Sequence, residues 1–420
     1  MARIRNSATL RALRYPNFQL FFAGQLISLI GTWMQNVAQS WLVYRLTGSS
    51  ALLGLVSFVG QIPVLFLSPV GGYAADRFSR RDLVVVTQSV SMVLALILAA
   101  LTLTGTIRIW EIFVLAGLLG VVNSFDIPAR QSFLVEMVGR EDMINAIALN
   151  SSMFNGARIV GPAIAGLLVA KIGEGWCFFA NGVSYVAVIA GLLLMRMEPF
   201  RRMQQALSAF HTVREGFRYV ARTGPVRALL LMVGVLSFAG LPYLVLMPIF
   251  ADSVFHRGAA GLGLLLGVAG LGALSGALLL ASRTVVSGLT LWEGIAMGVF
   301  AVALAAFAFS TVFWFSCAML YVMGFSGMIQ MGAANTLIQS VVPDHLRGRV
   351  MSVYSMMYMG FGPVGAMFAG LAADRFGAAL TLSVGAAACL IASALFLWRT
   401  AAIRDGIRVL LAEPAPVTVE

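Results

Sequence analysis

The sequence predicts an all-α integral membrane protein, with twelve transmembrane helices in two pseudo-symmetric six-helix halves, and three observations predict it. Of its 420 residues, 60% are hydrophobic and only 11% charged, and the mean hydropathy is +0.91, well outside the composition of soluble globular domains. Twelve apolar stretches each come close to the ~20 residues that a helix needs to cross a bilayer. The basic residues also sort by side. With the N-terminus in the cytoplasm, the outer loops receive Arg45, Arg108, Lys171, Arg257 and Arg375, Arg158 stays within the membrane, and the rest of the 28 fall inside, as the positive-inside rule requires. Both termini are therefore expected in the cytoplasm and the chain in a bacterial inner membrane. The net charge of +11 needs no nucleic-acid partner.

The chain opens on MARIRNSATLRALRYPN, followed by an apolar run too long and too rich in glutamine for a signal-peptide core, so the first span, roughly 18–44, is read as uncleaved. In it Gln25, Ser28, Thr32, Gln35, Asn36 and Gln39 recur at three- and four-residue steps. Such a polar stripe is costly against lipid, so it faces either a cavity or a neighbouring helix. The second span, roughly 51–74, runs into the charged stretch Gly71–Arg81, GGYAADRFSRR, before the third, roughly 83–104. The fourth, roughly 110–129, ends near Asp126 and Arg130. The fifth, roughly 146–169, carries a polar face of Ser151, Ser152, Asn155 and Arg158 and then Gly161-Pro162 and Gly166; the sixth runs roughly 176–195. An extended polar segment follows, about 198–225, in which Phe210, Val213, Phe217 and Val220 share one helical face and Arg214, Arg218 and Arg222 another, the pattern of an amphipathic helix on a membrane surface. Six further spans lie at roughly 228–251, 260–282, 288–309, 312–335, 350–373 and 379–398. The expected organisation is 1–197 for the first half, 198–225 for a cytoplasmic linker, 226–400 for the second half and 401–420 for a cytoplasmic tail.

The halves resemble each other. At an offset of 204 residues, Gly120, Ala129, Ser151, Met153, Gly161, Gly166 and Gly173 fall on Gly324, Ala333, Ser355, Met357, Gly365, Gly370 and Gly377. Internal repetition of this kind builds secondary transporters whose site lies between the repeats near the membrane midplane.

Arg158 is the deepest charge, roughly 20 Å of helix from either end of its span, too far for its side chain to reach water. It is either a cavity-facing cation that attracts anionic groups or one member of a buried pair with Asn155, Gln35 or an acid. Proline removes a backbone donor while glycine permits close helix approach, so Gly161 and Pro162 suit a kinked, tightly packed contact. Asp126 and Glu293 are the acids expected inside the bilayer and hence the candidates for carrying a proton. Cys177, Cys317 and Cys389 are far apart with no metal-ligand spacing, and are expected as buried small hydrophobes. His211, His256 and His345 lie apart in loops, which argues against a membrane-embedded enzyme. The chain lacks a Gly-x-x-x-x-Gly-Lys-Ser/Thr phosphate loop, so ion coupling is left to energise a cycle. No cofactor and no metal are expected.

The stretch Gly72-x-x-x-Asp76-Arg77-x-x-Arg80-Arg81, with Ser79 in place of the usual second glycine, resembles the loop motif between the second and third helices of major facilitator superfamily transporters. The twelve spans, the long central loop, the weaker echo at Gly276–Arg283 and the loop Val342–Val350 resemble that superfamily as well. Gly156-x-x-x-x-Gly161-Pro162-x-x-x-Gly166 is similar to the glycine-proline motif of drug:proton antiporters, with one extra residue before Gly161. Asn123–Arg130 resembles the branch that includes enterobactin exporters. The resemblance implies export by alternating access with proton antiport, and a cargo of drugs or a siderophore. It also implies that Asp76 caps the eleventh span near Arg349 and that Arg80 reaches Asp126, with Arg77 and Arg81 beside them, as a latch of one conformational state; the alternative is that Arg77, Arg80 and Arg81 merely fix topology. A lysophospholipid flippase of the same fold is the alternative. The substrate-contacting candidates are Gln35, Asn36, Gln39, Asn155, Arg158 and Gln330. The expected partners are a small molecule, anionic if Arg158 reads it, together with protons and membrane lipids, and the chain is expected to be a monomer.

Overall fold

The computed structural model describes residues 8–139, 141–196, 209–283 and 288–412, and the regular elements among them are helices. A 3₁₀ turn, Ala8–Arg14, leads into α1 (Pro16–Thr47). Then come α2 (Ser50–Arg77), α3 (Arg80–Leu103), α4 (Ile109–Val138), α5 (Met143–Ile172) and α6 (Glu174–Leu194). A shorter helix, α7 (Ala209–Arg222), precedes a span built of α8 (Gly224–Val235), a π turn at Leu236–Gly240, α9 (Tyr243–Ile249) and a second π turn at Phe250–Val254. After α10 (Gly258–Ala281), α11 (Leu289–Phe309) and α12 (Phe313–Val341), the eleventh span is again composite: α13 (Asp344–Ser355), a π turn at Met356–Gly360, and α14 (Phe361–Phe376). The chain continues through α15 (Ala378–Trp398) into α16 (Thr400–Ala412).

Eleven of these spans are long and apolar enough to cross a membrane. The twelfth, α1, has the length, 32 residues, and its polar stripe accounts for its lower hydropathy. The backbone divides into two compact units: Met1–Leu52, Val56–Ala206 and Phe250–Gly267 form one, and Leu53–Leu55, Leu207–Ile249 and Val268–Glu420 the other.

In the first unit α1 packs on α5 and α6, and α3 on α4 and α6. Buried Phe18, Phe21, Phe133, Val188 and Leu192 knit α1, α4 and α6 together at one end, where close van der Waals packing, not transfer out of water, holds membrane helices to each other. The 3₁₀ turn is fastened to the start of α5: the Ala12 amide donates to Asn145 Oδ1 at 2.8 Å, and the Tyr15 hydroxyl to Asp142 at 3.1 Å. Bonding to the carboxylate holds the Tyr15 phenol above its ordinary range. In the second unit α11 packs on α12 and α15. There α7 lies against α13, with Glu215 paired to Arg349 at 2.5 Å and Gly216 so close that a methyl group there would sit 2.5 Å from the Arg349 carbonyl oxygen.

The repeat is visible in the backbone. Gly173 and Gly377 each end the fifth span of their half in the left-handed region, φ 89° and 88°, which favours glycine. Cys177, Cys317 and Cys389 are buried free thiols. Within α7, Val220 is buried whereas Phe217 is exposed. The side chains of Phe210, Val213 and Arg214 lie outside the described residues.

Candidate functional site

The charged turn between α2 and α3 is built from short-range bonds. Ser79 caps α3 by accepting from the Asp82 amide, which is how a serine serves where the motif usually has glycine. Arg77 donates to the Tyr73 hydroxyl at 2.8 Å. Arg81 donates to the carbonyls of Leu192 and Leu193, at 2.7 and 3.1 Å, satisfying free acceptors at the end of α6. Arg80 pairs with Glu136 at 2.7 Å and lies 3.8 Å from Asp76. The expected contact of Arg80 with Asp126 is not made. Asp126 lies ten residues before Glu136 in α4, roughly 15 Å away along the helix, and its own neighbour Arg130 meets it at 3.2 Å.

Asp126 anchors a buried polar cluster. It is 3% exposed and accepts from Thr87 and Gln88 of α3, both at 2.8 Å. Tyr185, Thr32 and Asn181 lie beside one another near this cluster. Asn181 also donates to Gln35 at 2.7 Å. Part of the stripe on α1 is therefore directed at α6: Gln25, Ser28 and Gln35 are buried, whereas Gln39 is half-buried and Asn36 exposed.

Arg158 stands apart from this cluster. It sits near the middle of α5, half-buried, and among the described residues no ion pair or hydrogen bond engages its guanidinium. Neither partner named from the sequence engages it: Gln35 Oε1 accepts from Asn181 at 2.7 Å, and the Asn155 amide group donates to the Ser151 carbonyl at 2.9 Å. Close by, α5 is set tightly against its neighbours. A methyl group at Gly161 would meet Trp33 Cβ at 2.5 Å, and one at Gly166 would meet Gly263 Cα at 2.8 Å, while Pro162 lies buried between them.

The second unit holds Glu293 on α11 and Gln330 on α12, each 0% exposed. The carboxyl faces the amide, yet none of the four polar atoms has a hydrogen-bond partner among the described residues. Gln330 is therefore closed off from solvent. Among the described residues no group of three or more His, Cys, Asp or Glu side chains is placed to hold a metal ion.

Sequence reasoning passed over Thr87, Gln88, Glu136, Asn181 and Tyr185, and read Arg130 only as part of the Asn123–Arg130 motif. The signal for Gln88 and Asn181 is present, since an amide inside an apolar span needs a partner. Glu136 is an acid at the end of a span whose neighbouring turn is rich in arginine.

A family model described as transmembrane secretion effector matches residues 7–406. The staphyloferrin A transporter of Staphylococcus aureus is 26% identical over 369 residues, 87% of this chain and 91% of that protein. The multidrug efflux pump Tap of Mycobacterium tuberculosis is 31% identical over 383 residues, 87% and 88%. The enterobactin exporter EntS of Escherichia coli is 24% identical over 384 residues, 90% and 88%. Among solved structures, that of the nucleoside transporter NupG superposes with a TM-score of 0.72 at 14% identity, covering 91% of this chain and 99% of that one.

Proposed function

This chain belongs to the transmembrane secretion effector family of major facilitator transporters, and from that premise we propose that it exports small amphipathic molecules, drugs or a siderophore, by alternating access coupled to proton antiport. It is a multi-pass membrane transporter and not an enzyme. In the proposed arrangement it sits in a bacterial inner membrane with both termini in the cytoplasm, and the segment 198–225 joins the halves 1–197 and 226–400.

The observation that carries the substrate class is Arg158. A guanidinium halfway along a membrane helix is retained only where something compensates it, and among the described residues no ion pair or hydrogen bond does so. We assign that role to anionic groups of the cargo, catecholate or carboxylate, with Asn36, Gln39 and Asn155 offering hydrogen bonds around it. Asp76, Arg77, Arg80 and Arg81, with Gly161 and Pro162, are proposed to govern the conformational change.

The test uses purified protein in liposomes, with staphyloferrin A as an anionic probe and ethidium as a cationic one. Arg158→Lys keeps the charge and loses the planar fork, and Arg158→Gln does the reverse for charge. Gln is expected to lower staphyloferrin A transport by about tenfold or more, equivalent to about 1.4 kcal/mol, with Lys intermediate and ethidium transport little changed. Equal siderophore transport by wild type and Gln at equal abundance removes the charge-reading role.

A further inference from the structure

Each half holds an amide and an acid on its third and fourth spans, in opposite order. In the first, the amide Gln88 on the third span donates to the acid Asp126 on the fourth at 2.8 Å. In the second, the acid Glu293 on α11 faces the amide Gln330 on α12. Asp126 and Gln330 are 204 residues apart, the register of the internal repeat, and Gln88 and Glu293 are one residue off it.

The exchange changes what each acid can do. Asp126 has a cation 3.2 Å away in Arg130 and hydrogen bonds from Thr87 and Gln88, so its negative charge is compensated. In the same register, the place of Arg130 is taken by Ala334. Glu293 is 0% exposed, and among the described residues no cation or second acid acts on it. Tyr354 is a titratable neighbour, and its hydroxyl already donates to the Met331 carbonyl at 3.2 Å. On α15, Ser393 is spent on the Gly294 carbonyl at 2.7 Å. A carboxylate without charge compensation in such a place is far more costly than the neutral acid.

We propose that Glu293, held against Gln330, is the acid that carries the coupled proton, and that Asp126 remains a charge-paired structural anion. In each cycle a proton arriving from the outer side forms the carboxyl O–H, and the same O–H bond breaks as the proton leaves for the cytoplasm. The exit is short, since Glu293 lies one turn from the start of α11 at Leu289, about 6 Å. The helix carrying Tyr354 gives way to a π turn at Met356, a widened turn of the kind found at functional positions in helices. It supplies a place for the cover over the acid to open. The assignment rests on the antiport reading above.

The test uses the full chain in liposomes with ethidium as probe, comparing movement driven by a pH gradient with ethidium exchange in its absence. Glu293→Gln is expected to lose gradient-driven movement by about tenfold or more while exchange persists. The double variant Glu293→Gln/Gln330→Glu, which gives the second half the order found in the first, is expected to regain it. Wild type indifferent to the gradient ends the antiport reading and this assignment together; a gradient-driven Glu293→Gln ends this assignment alone. If Glu293→Gln loses exchange too, failure of the double variant to recover marks Glu293 as structural and overturns the assignment. Infrared spectroscopy needs no cargo: the carbonyl stretch of a protonated carboxyl should be present in wild type, fade as pH is raised, and be missing from Glu293→Gln. A band that persists in that variant, or never titrates in wild type, also overturns it.

Discussion

At the scale of single residues, Arg80 separates what a motif conveys from what packing decides. The family pattern identifies Arg80 as a latch residue, and a latch needs an acid, but the spacing of residues along α4 does not say which turn faces the loop. Glu136 does, at 2.7 Å, while Asp76 is 3.8 Å away. With Arg80 only 14% and Glu136 29% exposed at the side chain, a double-mutant cycle on thermal unfolding in detergent should give Arg80–Glu136 a coupling of about 1.5–3 kcal/mol. The looser pair with Asp76 should give less than about 1 kcal/mol. Equal couplings would mean that the distances do not rank the contacts. Gln88 makes the same point inside the membrane. Its need for a partner is readable from composition, whereas its meeting with Asp126 depends on how α3 and α4 are rotated about their axes, which a hydropathy pattern with apolar residues on every face does not specify.

At the scale of elements, the helices themselves were legible, because twenty apolar residues in a bilayer have few alternatives to a helix. Gly173 and Gly377, matched in the repeat, also share a backbone conformation, φ 89° and 88°. The π turns were not legible: they widen the spans at Leu236–Gly240, Phe250–Val254 and Met356–Gly360, and no residue type marks them. The glycine-proline segment of α5 was read from the sequence as a close contact, and the structure gives it a definite neighbour. A methyl group at Gly166 would lie 2.8 Å from Gly263 Cα and 2.9 Å from the Ala259 carbonyl oxygen, both backbone atoms that cannot swing away. Gly166→Ala should therefore lower thermal stability by about 1–3 kcal/mol. Gly156→Ala, where nothing lies within 4 Å, should be neutral or slightly stabilising, since alanine favours helix over glycine. Equal stability of the two variants would contradict the packing.

At the scale of the whole molecule, twelve crossings require loops to alternate between two sides. In a background lacking the three native cysteines, Ser282→Cys should resist an impermeant maleimide in intact cells and Thr311→Cys should react; the reverse would invert the proposed orientation. The two-half plan was legible because repetition leaves matching residues at a fixed offset, but the ownership of the segment between the halves was not. It reads as a linker whose amphipathic helix lies on the membrane surface, whereas α7 is docked on α13 through Gly216 and the Glu215–Arg349 pair. Six crossings return each half to the side from which it started, so the transporter is suited to expression as two polypeptides, and α7 says where the chain should be divided. Fragments divided between 196 and 209 leave the docked helix whole within the second polypeptide. Fragments divided after Arg222 hand it to the first, where α13 is not part of the same chain. Only the earlier division should yield a C-terminal piece that survives proteolysis in the membrane on its own.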